Sequence, residues 1–269
     1  MFKLSVPMSI KNFNEKTLST YVDHIKKCKV QRVFLCGMGE IYDERSPIFT
    51  QQEKIKGIIS ALRACDIEVG VWTNTLGHGA ALVGANVWQN NGKYAMVEGV
   101  GGDKPPHAIC PADENFLNDF AHGVATIASF RPDIIMFDDD FRFGRYQYYF
   151  GCFCPKHLAR FYEILGEEIP RDQIEAKVYT GGKNKYRDAY RQMISETMLN
   201  FANRMRAAVD SVDPGIRLGL AGAIENWDAD GLHLPDLIRA FAGNTEPFFR
   251  THGAPYWSTD IMKIIESTR

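Results

Sequence analysis

No run of about 18 apolar residues occurs in this chain, so nothing in it reads as a membrane-spanning helix. A dominant charge is missing too. Lys and Arg total 31 against 33 Asp and Glu, and the net charge of -2 leaves no basic footprint for nucleic acid or an anionic membrane surface. The opening MFKLSVPMSIKNF lacks the apolar core and small-residue cleavage site of a secretory signal. Cysteine is scarce: six in 269 residues is far from a disulfide framework, so reduced thiols and a cytoplasmic location are expected. What the chain does have is 45% hydrophobic residues, enough for one full core, and residues 1–269 read as a single domain.

Short apolar runs alternate with helical patterns. Residues 4–8, 32–36, 69–74, 133–137, 216–221 and 247–251 are rich in Val, Ile, Leu and Phe, as buried parallel strands are. Residues 15–27 put Leu18, Tyr21, Val22 and Ile25 on one stripe, and residues 51–64 do the same with Ile55, Ile58, Ile59 and Leu62. Residues 113–129 and the long stretch 185–212 continue the helical pattern. Strand following helix throughout predicts a parallel sheet wrapped by helices, first as an α/β barrel of the (β/α) TIM type and second as an open doubly wound sheet.

The connections are unequal. Turns from helix to strand are short, as at Lys29-Val30-Gln31 and Cys65-Asp66-Ile67, whereas residues 37–50, 76–112 and 138–155 leave the strands as long loops. Long loops on one end only are how a barrel builds a site at the C-terminal face of its strands. Within 76–112, the Asn91-Gly92 pair predicts a hairpin turn over residues 88–94. Six strands and a last helix over 259–268 fall short of the eight a barrel needs, so the expectation is an incomplete barrel lacking its last strands. Exposed strand edges then call for cover, by a homo-oligomer or by an absent C-terminal segment.

Two constellations carry chemistry. The first is Cys110 with Cys152-Phe-Cys154-Pro-Lys-His157, three thiols and an imidazole of the kind that fill a closed tetrahedral zinc site. Cys152 and Cys154 sit two apart in a loop, and Pro155 suits the first turn of a helix running through His157 and Phe161. Alternate residues are poorly placed for a disulfide with each other. Cys28, Cys36 and Cys65 read as ordinary core thiols. A catalytic metal held by His78 or His107 with the acids is the competing reading, and three sulfurs argue against it because such a site keeps no open position.

The second constellation is Asp138-Asp139-Asp140, which leaves the fourth strand directly after Ile-Ile-Met-Phe and before Phe141-Arg142. Alternation sends Asp138 and Asp140 one way and Asp139 the other. Packed acids raise one another's pKa, and a carboxyl group that stays protonated at neutral pH is what a glycosidic general acid requires. Around the same face stand Trp72, Asn74 and His78, then Glu225, Asn226 and Trp227, then Arg250, His252 and Trp257. Aromatic faces mixed with carboxylates and amides suit a carbohydrate. Glu225 is the attractive second carboxylate beside Asp140, with Asp139 the runner-up acid.

The run from Cys152 to Phe161, following an acidic strand end and an earlier Cys110-Pro111, resembles the family 42 β-galactosidases of clan A glycoside hydrolases. That family has a Cys-aromatic-Cys-x-x-Cys before an amphipathic helix, and here His157 stands in the place of the fourth cysteine. Its fourth strand ends in Asp-Asn-Glu-aromatic, with the Glu as acid/base; Asp138-Asp139-Asp140-Phe141 occupies those places, so the resemblance gives Asp140 that role. It implies a glycosidase-like barrel. The clan's nucleophile, on strand seven, has no counterpart in the six strands read here. A non-catalytic carbohydrate-binding or scaffold module is the alternative.

Overall fold

The computed structural model describes residues 3–14, 16–76, 92–104, 109–138, 141, 145–146, 149–223 and 233–252. Strands β1 (Ser5–Ser9), β2 (Arg32–Cys36), β3 (Glu68–Thr73) and β4 (Ile134–Phe137) come first. A small antiparallel ribbon, β5 (Arg145–Tyr146) with β6 (Tyr149–Phe150), stands apart, and β7 (Arg217–Ala223) and β8 (Phe248–His252) follow. The six long strands form one parallel sheet in the order β1-β2-β3-β4-β7-β8. Helices α1 (Leu18–Lys27), α2 (Pro47–Thr50), α3 (Gln52–Arg63), α4 (Glu114–Ser129), α5 (Pro155–Leu165), α6 (Arg171–Tyr179), α7 (Lys185–Asp210) and α8 (Leu234–Ala242) fill the connections.

The sheet is rolled. β2 and β8 are four strand spacings apart, about 19 Å in a flat sheet. Yet the rings of Phe34 and Phe248 lie 5.8 Å apart, centroid to centroid. Alternation sends Phe34, Trp72, Ile134, Met136, Ala221 and Phe248 into this enclosed face. Val33, Leu35, Val69, Val71, Ile135, Phe137, Leu218 and Leu220 point outward into the main core, against the helices. Gly70 has no Cβ because Phe34's ring occupies that space. α3 meets the sheet with Ile55, Ile58, Ile59 and Leu62, each buried side chain worth about 1.5–3 kcal/mol.

At the N-terminal strand ends a charged floor closes the roll. Glu68 takes Lys3 Nζ at 2.7 Å and Arg32 Nη2 at 2.9 Å, and it also pairs with Arg217. The guanidinium groups of Arg32 and Arg217 lie 5.5 and 6.0 Å from the Phe248 ring centre. Burial works against the Glu68 charge, but the surrounding cations outweigh it and hold its carboxyl below the usual range.

All six predicted strands are present within a residue or two. So are the expected helices that fall on described residues, α7 being a single element of 26 residues. The turns after α1, α3 and α4 each place a non-glycine residue in the left-handed region: Lys29, Asp66 and Arg131, with φ of 54, 59 and 58°. Sequence reasoning missed α2, α6 and α8. α6 buries only Ile174 and Val178, too few for a stripe. The hairpin expected over 88–94 lies mostly outside the described residues, and the helix expected over 259–268 lies wholly outside them. Among the described residues no helix is long and apolar enough to cross a membrane.

Candidate functional site

The C-terminal strand ends gather residues from separate loops. β2 delivers Cys36, β3 delivers Trp72 and Asn74, and β4 delivers Asp138; with Met38 they line a cleft of about 200 Å³. Asp138 is fixed by its backbone, its N–H donating to Thr73 O at 2.9 Å and its carbonyl accepting from Phe141 N at 3.3 Å. Arg250, from β8, lays its guanidinium 4.8 Å from the Trp72 ring centre. The Trp72 indole N–H is buried with no acceptor among the described residues. Cys36, expected in the core, is instead half-buried at this mouth. Burial pushes its thiol up, and the negative charge of Asp138 adds to that, so it stays a neutral thiol. Cys28 is exposed and so is no core thiol, whereas Cys65 is half-buried against the main core.

The acidic turn is anchored on both flanks. Phe137 and Phe141 are buried, and both pack on Phe201 of α7, at 6.4 and 5.1 Å, and on Phe241 of α8, at 5.3 and 5.4 Å. Asp139 and Asp140 lie outside the described residues. So do His78, His107, Arg142, Glu225, Asn226, Trp227 and Trp257. His252 ends β8, and only its backbone is described.

The second centre forms as the sequence spacing anticipates. Cys110, Cys152, Cys154 and His157 are all buried, and their ligand atoms lie within 4.8 Å of one another. Cys110 Sγ is 3.9 Å from Cys152 Sγ and 4.0 Å from Cys154 Sγ; His157 Nδ1 is 3.6 Å from Cys110 Sγ and 3.2 Å from Cys154 Sγ. These four side chains can hold a metal ion. The Cys110–Cys152 and Cys110–Cys154 separations are those of free thiols, a disulfide being about 2.05 Å. Hydrogen bonds from the Cys110 and Cys152 thiols, then His157, pull the Cys154 thiol well below its ordinary value. Its neighbours' thiols and burial push Cys110 far up. Cys152 is pushed up to about 12: its bond with Cys110 favours the thiolate, but the Cys154 thiolate and burial outweigh it.

Local structure explains how forty residues of separation are bridged. The Met96–Ile109 β-bridge and the bond from Cys110 N to Ala95 O, 2.9 Å, bring Cys110 back beside residues 95–98. Asp113 caps α4 through Phe116 N at 2.8 Å and accepts from Ala95 N at 3.0 Å. Glu98 N–H donates to Cys152 Sγ at 3.4 Å, and Phe153 N donates to Glu98 O at 2.6 Å. Gly151 must be glycine: its φ is 58°, and a Cβ there would run into Tyr190. Arg171 ties the two loops together, donating to Val100 O at 2.5 Å, Gly99 O at 2.8 Å, Phe153 O at 3.0 Å and Glu98 Oε1 at 2.6 Å. Sequence reasoning missed Arg171, and nothing in its spacing marks it. Cys36 was legible by alternation from Phe34.

No protein-family model matches the chain, and no curated protein matches it either. Solved structures do. The glycoside hydrolase domain of PgaB (BpsB) from Bordetella bronchiseptica superposes with a TM-score of 0.66 at 15% identity, over 93% of this chain and 74% of that one. The β-galactosidase of Halorubrum lacusprofundi gives 0.65 at 12%, over 95% and 40%. That of the psychrophilic Marinomonas ef1 gives 0.63 at 12%, over 89% and 40%. The chain shares the barrel fold of these glycoside-hydrolase structures. At this identity the likeness is one of fold, and the chain spans about 40% of the length of those two β-galactosidases.

Proposed function

We propose that this barrel is a glycoside hydrolase of β-galactosidase-like type, akin to family 42, working through paired carboxylates on a carbohydrate. The observation that carries the reading is the convergence of Trp72, Asn74 and Asp138 on one cleft at the C-terminal strand ends, with the acidic turn anchored beside it by Phe137 and Phe141. Asp140 protonates the leaving oxygen, with Asp139 as the substitute acid. Glu225 serves as nucleophile, or as base for water. A carboxyl separation of about 5–5.5 Å gives retention and about 6.5–9.5 Å gives inversion. Trp72 and Arg250 offer a stacked aromatic and cationic wall, Asn74 and Asp138 offer hydrogen bonds, and His78, Arg142, Asn226, Trp227, His252 and Trp257 complete the substrate contacts from the remaining loops.

The second centre holds a structural zinc ion in this reading. Zn–S of about 2.3 Å and Zn–N of about 2.0–2.1 Å give tetrahedral edges of about 3.8 Å between sulfurs and about 3.6 Å from sulfur to nitrogen. The edges of 3.9, 4.0, 3.6 and 3.2 Å support that fit. Filled by Cys110, Cys152, Cys154 and His157, the ion keeps no position for substrate and serves to staple the loops.

The test is hydrolysis of a panel of aryl glycosides by the parent chain and by Asp140→Asn. Loss of most activity supports the assignment, and activity untouched by the substitution removes Asp140 from it. A non-catalytic carbohydrate-binding or scaffold module is favoured by one observation: among the described residues Asp138 is the sole carboxylate lining the cleft. Saccharide binding without turnover in the parent would decide for that reading.

A further inference from the structure

We propose that Thr197, on α7, is the positioning residue that fixes His157 in its metal-binding tautomer. The proposal rests on the metal reading above. His157 Nε2 lies 3.2 Å from Thr197 Oγ1, and that hydroxyl donates its single hydrogen to Met193 O at 2.9 Å. With its proton committed to the preceding turn, Thr197 can only accept from the imidazole. Nε2 therefore carries the hydrogen. Nδ1 faces Cys110 Sγ at 3.6 Å and Cys154 Sγ at 3.2 Å, and it is the nitrogen that a metal ion among those sulfurs would meet.

Three of the four ligands are thiols, and a thiolate has no tautomer to set. His157 is different: with the proton on Nδ1 it would present an N–H to the metal and fail to bind. The side chain is 2% exposed, so bulk water does not correct the tautomer. A histidine ligand whose other nitrogen is tied in this way is commonly conditioned by that tie. Here the tie comes from a helix whose own backbone accepts the hydroxyl hydrogen.

The experiment uses the full chain and Zn2+ alone, competed against a chromophoric chelator at one fixed pH. Thr197→Val keeps the shape and removes the acceptor, and it should weaken zinc binding by about 10–100-fold. Thr197→Ser, which restores the hydroxyl, should bind close to the parent. In a His157→Cys background the valine substitution should cost nothing, because the fourth ligand is then a thiolate. Equal zinc affinity in the parent and Thr197→Val would overturn the proposal, as would the same loss in both backgrounds, which would mark a mere packing effect. Long-range proton–nitrogen NMR of His157 in the metal-free parent gives an independent reading. Hydrogen on Nε2 supports the proposal, and a bare Nε2 with hydrogen on Nδ1 alone overturns it even if zinc itself does not bind. A parent that takes up no zinc, yet shows the Nε2 hydrogen, would sink the metal reading while upholding the tautomer.

Discussion

Glu68 is the shared counter-ion of the barrel floor, and replacing it tests how much that floor contributes. In Glu68→Gln the side chain keeps its length and one acceptor oxygen but loses its charge. Lys3, 52% exposed, forms a surface pair worth about 0–1 kcal/mol. Arg32 and Arg217 are 13% and 21% exposed against 14% for Glu68, and each such charged bond is worth about 1.5–3 kcal/mol. The glutamine oxygen retains part of this, while the two guanidinium groups lose their counter-charge. We expect a net loss of about 2–4 kcal/mol, close to the lower end of the range for breaking buried pairs. The pH dependence has a definite sign. Because the folded carboxyl titrates below the unfolded value of about 4.3, its contribution is complete above that pH and is lost as pH falls through the folded value. Urea unfolding of parent and variant should therefore give a constant gap from about pH 6 to 8, closing below about pH 4. A gap under about 0.5 kcal/mol at pH 7, within the scatter of ordinary surface substitutions, or one that persists undiminished at low pH, would refute the reasoning.

Two further outcomes follow from the second centre. Cys154 is the natural thiolate, while Cys110 and Cys152 hold their protons, so zinc uptake near neutral pH should release at least two protons; calorimetry in buffers of different ionisation heat counts them, and release of none would contradict the assignment. Arg171→Gln removes most of four hydrogen bonds that tie residues 98–100 to Phe153, and it should cost about 2–4 kcal/mol and speed proteolysis within residues 96–104. Unchanged unfolding and cleavage rates would show that the loops are held by other contacts.

The fold was legible because parallel strands buried on both faces announce themselves as apolar runs. Ile134 to Phe137 is buried at every position. Loop asymmetry pointed to the C-terminal strand ends, where Cys36, Trp72, Asn74 and Asp138 line one cleft. The grouping of Cys110, Cys152, Cys154 and His157 was legible from chemistry and spacing, but its closure was not. It depends on the Met96–Ile109 bridge and on Arg171, whose partners are mostly backbone carbonyls and leave no residue-type signature. The left-handed turns at Lys29, Asp66 and Arg131 were equally silent, because none uses glycine. Cys36 was misread because composition ranks cysteine as a core residue, whereas strand alternation already paired it with Phe34 on the enclosed face.

α7 joins the two centres in a single packing unit. Thr197 receives the His157 hydrogen bond, and Phe201, one turn further along the same helix, packs on both Phe137 and Phe141. Phe120 of α4 and Phe241 of α8 close the other sides of that aromatic cluster. Close-packed interiors resist continuous deformation, so the position of α7 is set jointly by α5 at one turn and by the flanks of the acidic segment at the next. A metal ion held by the cysteine–histidine cluster would thus bear on the acidic segment without touching it: it would fix His157 and hence α5 against α7, and α7 is the surface on which Phe137 and Phe141 rest. The same logic explains why the cluster tolerates an imidazole among thiols, since the helix that braces the acidic turn also supplies the acceptor that the imidazole needs.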